Sequence, residues 1–148
     1  MQPKINIECE FEHCLPKRTF ATDAGADMVA KENAILFDGV RTLVGTGVKV
    51  EIPSGYVGLL FPRSSLSKLG VTMTNSVGVI DSDYRGEIMA SLMFTKTANG
   101  PVDSIFINKG DRIVQLVILP IMVPDFVRVN NLSNTERGDG GFGSTGKQ

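Results

Sequence analysis

No apolar run in this 148-residue chain is longer than nine residues, and the longest, Leu116 to Pro124, contains two prolines. A helix that crosses a membrane needs about 20 apolar residues, so no membrane partner is expected. The shorter runs alternate. Ile5 and Ile7 are separated by a polar residue, and Val48, Val50 and Ile52 repeat the pattern. Val71 to Asn75 does the same, and Val77 and Val79 resume it. A period of two is that of a strand with one buried face. Turn signals cut the runs at Pro53-Ser-Gly55, Asn99-Gly-Pro101 and Lys109-Gly-Asp111. Tyr56 to Phe61, Ile88 to Phe94, and Ile105 with Ile107 are further strand candidates. Ile113 to Leu119 is nearly continuous and is expected to be buried on both faces. Phe126, Val127 and Val129 read as a last strand. Only Arg63 to Leu69 has helical spacing, over about two turns. Val, Ile and Thr make up about a quarter of the chain, which suits pleated sheet and argues against a helical bundle. Many short strands joined by turns predict one all-β domain, a sandwich or a barrel.

Charge and rare residues exclude several classes of function. The net charge is −1, without the excess of Lys and Arg that a nucleic-acid coat needs. No nucleic-acid partner is therefore expected. The N-terminus alternates and carries acids, so it does not read as a secretory signal. Cys9 and Cys14 are the only cysteines and His13 the only histidine. A zinc site wants four ligands. The two cysteines are expected to be plain thiols in a reducing cytoplasm. A Ser–His–Asp arrangement would have to use His13, which sits in no recognisable setting. Carboxylates are the better candidates for catalysis.

Four interior clusters and one tail interrupt the strand pattern. Asp23-Ala-Gly-Ala-Asp27 places two acids around a glycine, where a turn is also at home. In Phe61-Pro-Arg-Ser-Ser-Leu66 a proline stops a strand, and Arg63, Ser64 and Ser65 open the short helix. Hydroxyls and an arginine at a helix start suit a phosphate, or a simple N-cap. Asn75 to Glu87 reads as a β-hairpin with an acidic tip, Asp81-Ser-Asp-Tyr-Arg-Gly86. A carboxylate there could deprotonate a water, although a solvated acidic turn has the same sequence. Gln115 is a single amide in an apolar run and needs a partner if buried. From Ser133 onward the chain is Gly-rich, with Phe142 its only large apolar side chain. Alone, such a segment has little to bury. Arg137-Gly-Asp139 matches an adhesion tripeptide, a three-residue match that chance supplies.

Taken in order, these segments closely resemble the five motifs of the trimeric dUTPase family. They are AGADM at 24–28, PRSSL at 62–66, GVIDSDYRG at 78–86, GDRIVQL at 110–116 and RGDGGFGSTG at 137–146. The resemblance implies a distorted jelly-roll-like β-barrel with one short helix, spanning residues 1–132. It also implies a flexible Gly-rich arm, residues 133–148, that closes over the active site. The implied reaction is Mg2+-dependent hydrolysis of dUTP to dUMP and pyrophosphate in a homotrimer with shared active sites. The implied location is the cytoplasm, or the host-cell cytoplasm or nucleus for a viral member.

The resemblance also implies roles for single residues. Asp81 is the carboxylate that activates the water attacking the α-phosphorus, with Asp83 a supporting acid. Tyr84 packs under the deoxyribose and leaves no room for a 2′-hydroxyl. Asn75 and the backbone through Gly78 to Ile80 pair with the uracil edge. Arg63, Ser64, Ser65 and Gln115 hold the phosphates. Ser65 departs from the family's usual glycine. Asp27 touches magnesium only through water, the metal being carried by the triphosphate, in keeping with magnesium's retention of its waters. Phe142 stacks over the uracil, and Arg137, Gly143, Ser144 and Thr145 close on the γ-phosphate. A related deaminase of the same superfamily, acting on dCTP, and a non-catalytic trimeric module are the competing readings. Asp81 and Tyr84 together argue against the first, and the full set of catalytic-type residues against the second.

Overall fold

The structure is a computed structural model that describes residues 4–96 and 102–141. Eleven strands and one short helix follow in chain order. They are β1 Asn6–Cys9, β2 Ala26–Val29, β3 Ala34–Phe37, β4 Arg41–Gly45, β5 Val48–Glu51 and β6 Tyr56–Pro62, then α1 Ser64–Ser67. After the helix come β7 Val71–Met73, β8 Gly78–Ile80, β9 Met89–Phe94, β10 Ser104–Ile107 and β11 Arg112–Pro120. The strands form four antiparallel sheets, ordered β1-β5, β10-β3, β2-β11-β6-β8 and β4-β9-β7. The fold is all-β and jelly-roll-like with one short helix, as expected.

Alternation decides what goes inside. Along β5, Val48 and Val50 are buried while Glu51 faces out. Met28, Leu36, Leu60, Ile88, Leu92, Ile107 and Ile113 form the centre of one core shared by the sheets. Leu60 is 1% exposed in the middle of β6, opposite Gly78 of β8. Leu60→Ala is expected to cost about 2–5 kcal/mol, from lost transfer energy plus the cavity left behind. A lowered denaturation midpoint with an unchanged slope is the check.

The structure corrects several expectations. The segment 81–88 does not close a hairpin. Its leading strand β8 pairs with β6, and its following strand β9 pairs with β4 and β7. Segment 81–88 therefore crosses from one sheet to another. Two apolar runs around a turn specify strands but not their partners, which the free edge of β6 decides here. Phe126, Val127 and Val129 form no strand. The last strand ends at Pro120, and Phe126 is 97% exposed. Burial of β11 also fades past its middle: Ile113, Val114 and Leu116 are buried, Val117 and Ile118 half-buried and Leu119 exposed.

Cys9 and Cys14 are free thiols, as expected. Cys14 is buried, and Cys9 belongs to an exposed residue whose thiol is nevertheless partly desolvated. That desolvation, with the neighbouring Cys14 thiol, pushes Cys9 up to about 12. No helix among the described residues is long and apolar enough to cross a membrane.

Candidate active site

The first cleft gathers three of the sequence clusters. It encloses about 290 Å³ and is lined by Asp23, Gly25, Asp27, Arg63, Ser64 and Gln115, among others. Strand pairing brings them together: Gln115 of β11 lies opposite Asp27 of β2 on one side and opposite Phe61 of β6 on the other. Arg63 and Ser64 follow directly where β6 ends. On the outer edge of β2, the backbone of Asp27 bridges to Lys17.

The two acids of the first cluster separate in role. Asp23 closes its own turn, accepting the Phe20 N–H at 2.9 Å. Asp27 holds two guanidinium groups. Its Oδ1 lies 2.7 Å from Arg63 Nε and its Oδ2 3.2 Å from Arg112 Nη1. The Asp27 side chain is 17% exposed, so its charge needs those partners. Gln115 donates a long hydrogen bond, 3.4 Å, from Nε2 to the Pro62 carbonyl. Its amide lies over Gly25, where a Cβ would come within 2.5 Å of Gln115 Oε1. A side chain at position 25 would force the Gln115 amide to shift.

Of the two readings of the helix start, a phosphate site or a serine N-cap, the cap does not form. Arg63 occupies the cap position in extended conformation, and no side chain caps α1. Arg63 Nη1 donates instead to Ser65 Oγ at 3.4 Å. The two serines are exposed.

The second cleft, about 230 Å³, is lined by Val79, Ile80, Asp81, Tyr84, Glu87, Ile88 and Met89. The Tyr84 N–H donates to the Asp81 carbonyl at 3.1 Å, and the Tyr84 hydroxyl donates to the Glu87 carbonyl at 2.9 Å. These bonds hold Tyr84 at its backbone and at its hydroxyl. A Cβ on Gly86 would run into the phenol, so Gly86 leaves the ring its place. Asp81 itself is exposed. Asn75 and Gly78 lie just upstream, the Asn75 amide nitrogen 3.7 Å from where a Gly78 Cβ would sit. Ser76, between them, takes a positive φ of 59°.

The crossing segment is tied down at its base. Ile88 is fully buried, and its N–H donates to the Val48 carbonyl at 2.8 Å. Thr46 Oγ1 donates to the Ile88 carbonyl at 2.7 Å. Glu87 accepts from Lys31 Nζ at 2.7 Å and from the Gly47 N–H at 2.8 Å. Partial burial pushes the Glu87 carboxyl up, but Lys31 and the backbone N–H groups outweigh it and hold it below the usual range. Glu87 raises Lys31 in turn. A lowered carboxyl contributes stability above its unfolded value near 4.5, lost as pH falls through the folded value. A raised Lys31 contributes below 10.5, lost as pH rises through its folded value. Glu87→Gln is therefore expected to melt below the parent at pH 7, and the gap is expected to narrow as the pH falls below about 4. Paired melting curves across that range are the check.

The structure thus gathers Asp27, Arg63, Ser64 and Gln115 in one cleft and Ile80, Asp81 and Tyr84 in another. The two linings share no residue. Arg137 joins neither: it donates to the Gly140 carbonyl at 2.9 Å within its own exposed turn. Phe142, Gly143, Ser144 and Thr145 lie outside the described residues. Sequence reading passed over Arg112, Lys31 and Glu87. The first and last stand inside GDRIVQL and directly after DSDYRG, but their ion pairs join positions that are distant in the chain.

Among the described residues no three His, Cys, Asp or Glu side chains group as a metal cage. Asp27, the acid of the first cleft, already accepts from two arginines. Each of its oxygens keeps capacity for one more donor, such as a metal-bound water.

Comparison with known proteins agrees with this geometry. The family described as dUTPase matches residues 12–146. The deoxyuridine 5'-triphosphate nucleotidohydrolase of Corynebacterium glutamicum is 46% identical over 142 residues, covering 95% of this chain and 93% of its own. The enzyme of the same name from Cutibacterium acnes is 42% identical over 133 residues, covering 89% of this chain and 85% of its own. Among solved structures, the dUTPase of Staphylococcus bacteriophage 80alpha with dUPNHPP superposes with a TM-score of 0.86 at 31% identity, covering 99% of this chain and 100% of that one. A mutant dUTPase from phage phi11 of S. aureus, described with a structural Mg(II) ion, gives a TM-score of 0.78 at 28% identity over 87% of this chain and 98% of its own. With nearly its whole length matched in sequence and fold, this chain belongs to the dUTPase family.

Proposed function

We propose that this protein hydrolyses dUTP to dUMP and pyrophosphate. The observation that carries the reading is the crossing segment 81–88, which holds an exposed carboxylate, Asp81, beside a phenol fixed at its hydroxyl, Tyr84. It does so in a chain whose residues 12–146 match the family.

Asp81 takes a proton from the water that attacks the α-phosphorus. Tyr84 packs under the deoxyribose, where a 2′-hydroxyl would collide with the ring. Asn75, Gly78 and Ile80 present the edge that reads uracil. Arg63, Ser64, Ser65 and Gln115 receive the phosphates, as a guanidinium with hydroxyls and an amide would. Asp27 accepts from a water of the magnesium ion. When bound with the triphosphate, magnesium supplies charge neutralisation on the phosphate oxygens. The protein's part is positioning, electrostatics and one base.

The working unit we propose is a homotrimer with the active sites between subunits. Support comes from the division of the site residues into two clefts with no common member. It comes also from the chain past Pro120, where Met122, Val123, Phe126, Val127 and Leu132 are each at least 79% exposed. That much apolar surface on an extended segment calls for a covering partner. Residues 133–148 act as the arm that closes the site, with Arg137, Phe142, Gly143, Ser144 and Thr145 reaching the base and the γ-phosphate. Such an enzyme works where free nucleotides are, in the cytoplasm.

The test is a nucleotide panel. The protein is incubated with each deoxynucleoside triphosphate and with UTP, in magnesium, and pyrophosphate and ammonia are measured. Pyrophosphate from dUTP alone is expected. Ammonia from dCTP, or no release from dUTP, would overturn the reading.

A further inference from the structure

We propose that Arg112 is a positioning residue for this reaction: a β-bulge turns it toward Asp27 at the edge of the phosphate cleft, where it holds Asp27 and, through Asp27, the Arg63 guanidinium. This rests on the reading of the site as a dUTP hydrolase.

The register of β11 against β2 makes the case. Leu116 lies opposite Ala26, Gln115 opposite Asp27 and Val114 opposite Met28, and then Arg112 lies opposite Val29. One residue, Ile113, has been added on the β11 side. Side chains alternate across a strand. In an unbroken ladder Arg112, three residues from Gln115, would face away from it. The extra residue reverses that alternation. Val29 shares a face with Asp27, so Arg112 opposite Val29 shares it too. The bulge also lets two successive residues, Ile113 and Val114, both be fully buried. Bulges are common beside active sites, where they re-aim a side chain.

The re-aimed side chain completes a relay. Arg63 spends Nε on Asp27 Oδ1, 2.7 Å away. Its Nη1 also donates to Ser65 Oγ at 3.4 Å, which leaves Nη2 and the second N–H of Nη1 for an anion. Asp27 Oδ2 is taken by Arg112 Nη1 at 3.2 Å. A carboxylate held at both oxygens has one orientation, and it gives that orientation to Arg63. Charge follows the same logic. Asp23, Asp27 and Arg63 together carry one negative charge at a cleft meant for phosphates, and Arg112 at its edge offsets it. An ordinary exposed ion pair would have neither effect and would contribute little even to stability.

The experiment is a double-mutant cycle on the full chain with Arg112→Met, Asp27→Asn and both, read by dUTP hydrolysis and by calorimetric binding of inorganic triphosphate. Arg112→Met is expected to lower kcat/KM roughly 10- to 100-fold, the scale of a misplaced binding group, with the melting temperature nearly unchanged. Arg112→Lys, which keeps the charge but loses the fork, is expected to recover part of the loss. In the Asp27→Asn background, Arg112→Met is expected to do nothing further. Unchanged hydrolysis in Arg112→Met, or effects that simply multiply in the double variant, would overturn the proposal. If the parent protein releases no pyrophosphate from dUTP, the functional reading fails first. The triphosphate-binding cycle then decides the relay by the same two outcomes.

Discussion

Asp81→Asn is expected to lower dUTP turnover by about 10²- to 10⁴-fold, the range that a positioned general base contributes, while leaving nucleotide binding largely intact. Asparagine has the shape of aspartate but cannot take a proton from water. The fold gives the variant no reason to collapse. The crossing segment is anchored by Ile88, by Thr46 and by the Tyr84 hydroxyl on the Glu87 carbonyl. The Asp81 side chain takes part in none of these bonds, because it is exposed and only its carbonyl accepts from Tyr84. Single-turnover pyrophosphate release measures the loss, and calorimetry with a non-hydrolysable dUTP analogue measures binding. A fully active variant would remove Asp81 as the base. A variant that no longer binds would make it a binding residue.

Deleting residues 137–148 is expected to cut hydrolysis by about 10²-fold or more, the scale on which lost charge-stabilising donors act, without dissociating the proposed trimer. The arm is rich in glycine, and Phe142 is its one large apolar side chain. It has little to contribute to a core and much to contribute to wrapping an anion with backbone N–H groups. The core confirms half of this argument. Its last buried member is Leu116, and Ile118 packs against it. The deletion begins far beyond both. Closure of such an arm expels water and strengthens the remaining electrostatics. Size exclusion and melting curves are expected to match the full chain while the rate falls. An unchanged rate would leave the arm without a role in the chemistry.

Much of the fold was legible because strand period and burial coincide. Val48, Val50 and Ile52 alternate in the sequence and are buried in the fold. Tyr56 to Phe61 stops at Pro62, and β6 ends there. The segments 26–29, 34–37 and 41–45 were not read as strands. Each is only four or five residues long, and charges or glycines within or beside them dilute the period. Phe126 to Val129 failed in the opposite sense. Its residues have strand-like composition but no neighbouring strand within the protomer, and a lone strand leaves its backbone unpaired.

The candidate site divides along the same line. Residue type marked Asp27, Arg63, Asp81 and Gln115 as polar breaks in the strand pattern, and the resemblance of the ordered segments to the family's motifs implied their roles and that of Tyr84. The partners of those residues were not readable. Lys31 and Glu87 are 56 positions apart, and Arg112 and Asp27 are 85 apart. Strand register brings Arg112 to Asp27 and is a property of two strands at once, while Lys31 and Glu87, both outside strands, meet because each is bonded to the turn at Gly45–Gly47. The sequence by itself determined a β-rich domain and its family, and it nominated the candidate reactive groups. The tertiary structure alone decided which sheet each strand joins, that the segment bearing Asp81 crosses between sheets, and that one extra residue at Ile113 turns Arg112 toward Asp27. The physical reason is that alternation acts within a strand, whereas pairing is settled by which edges are free once the core has closed.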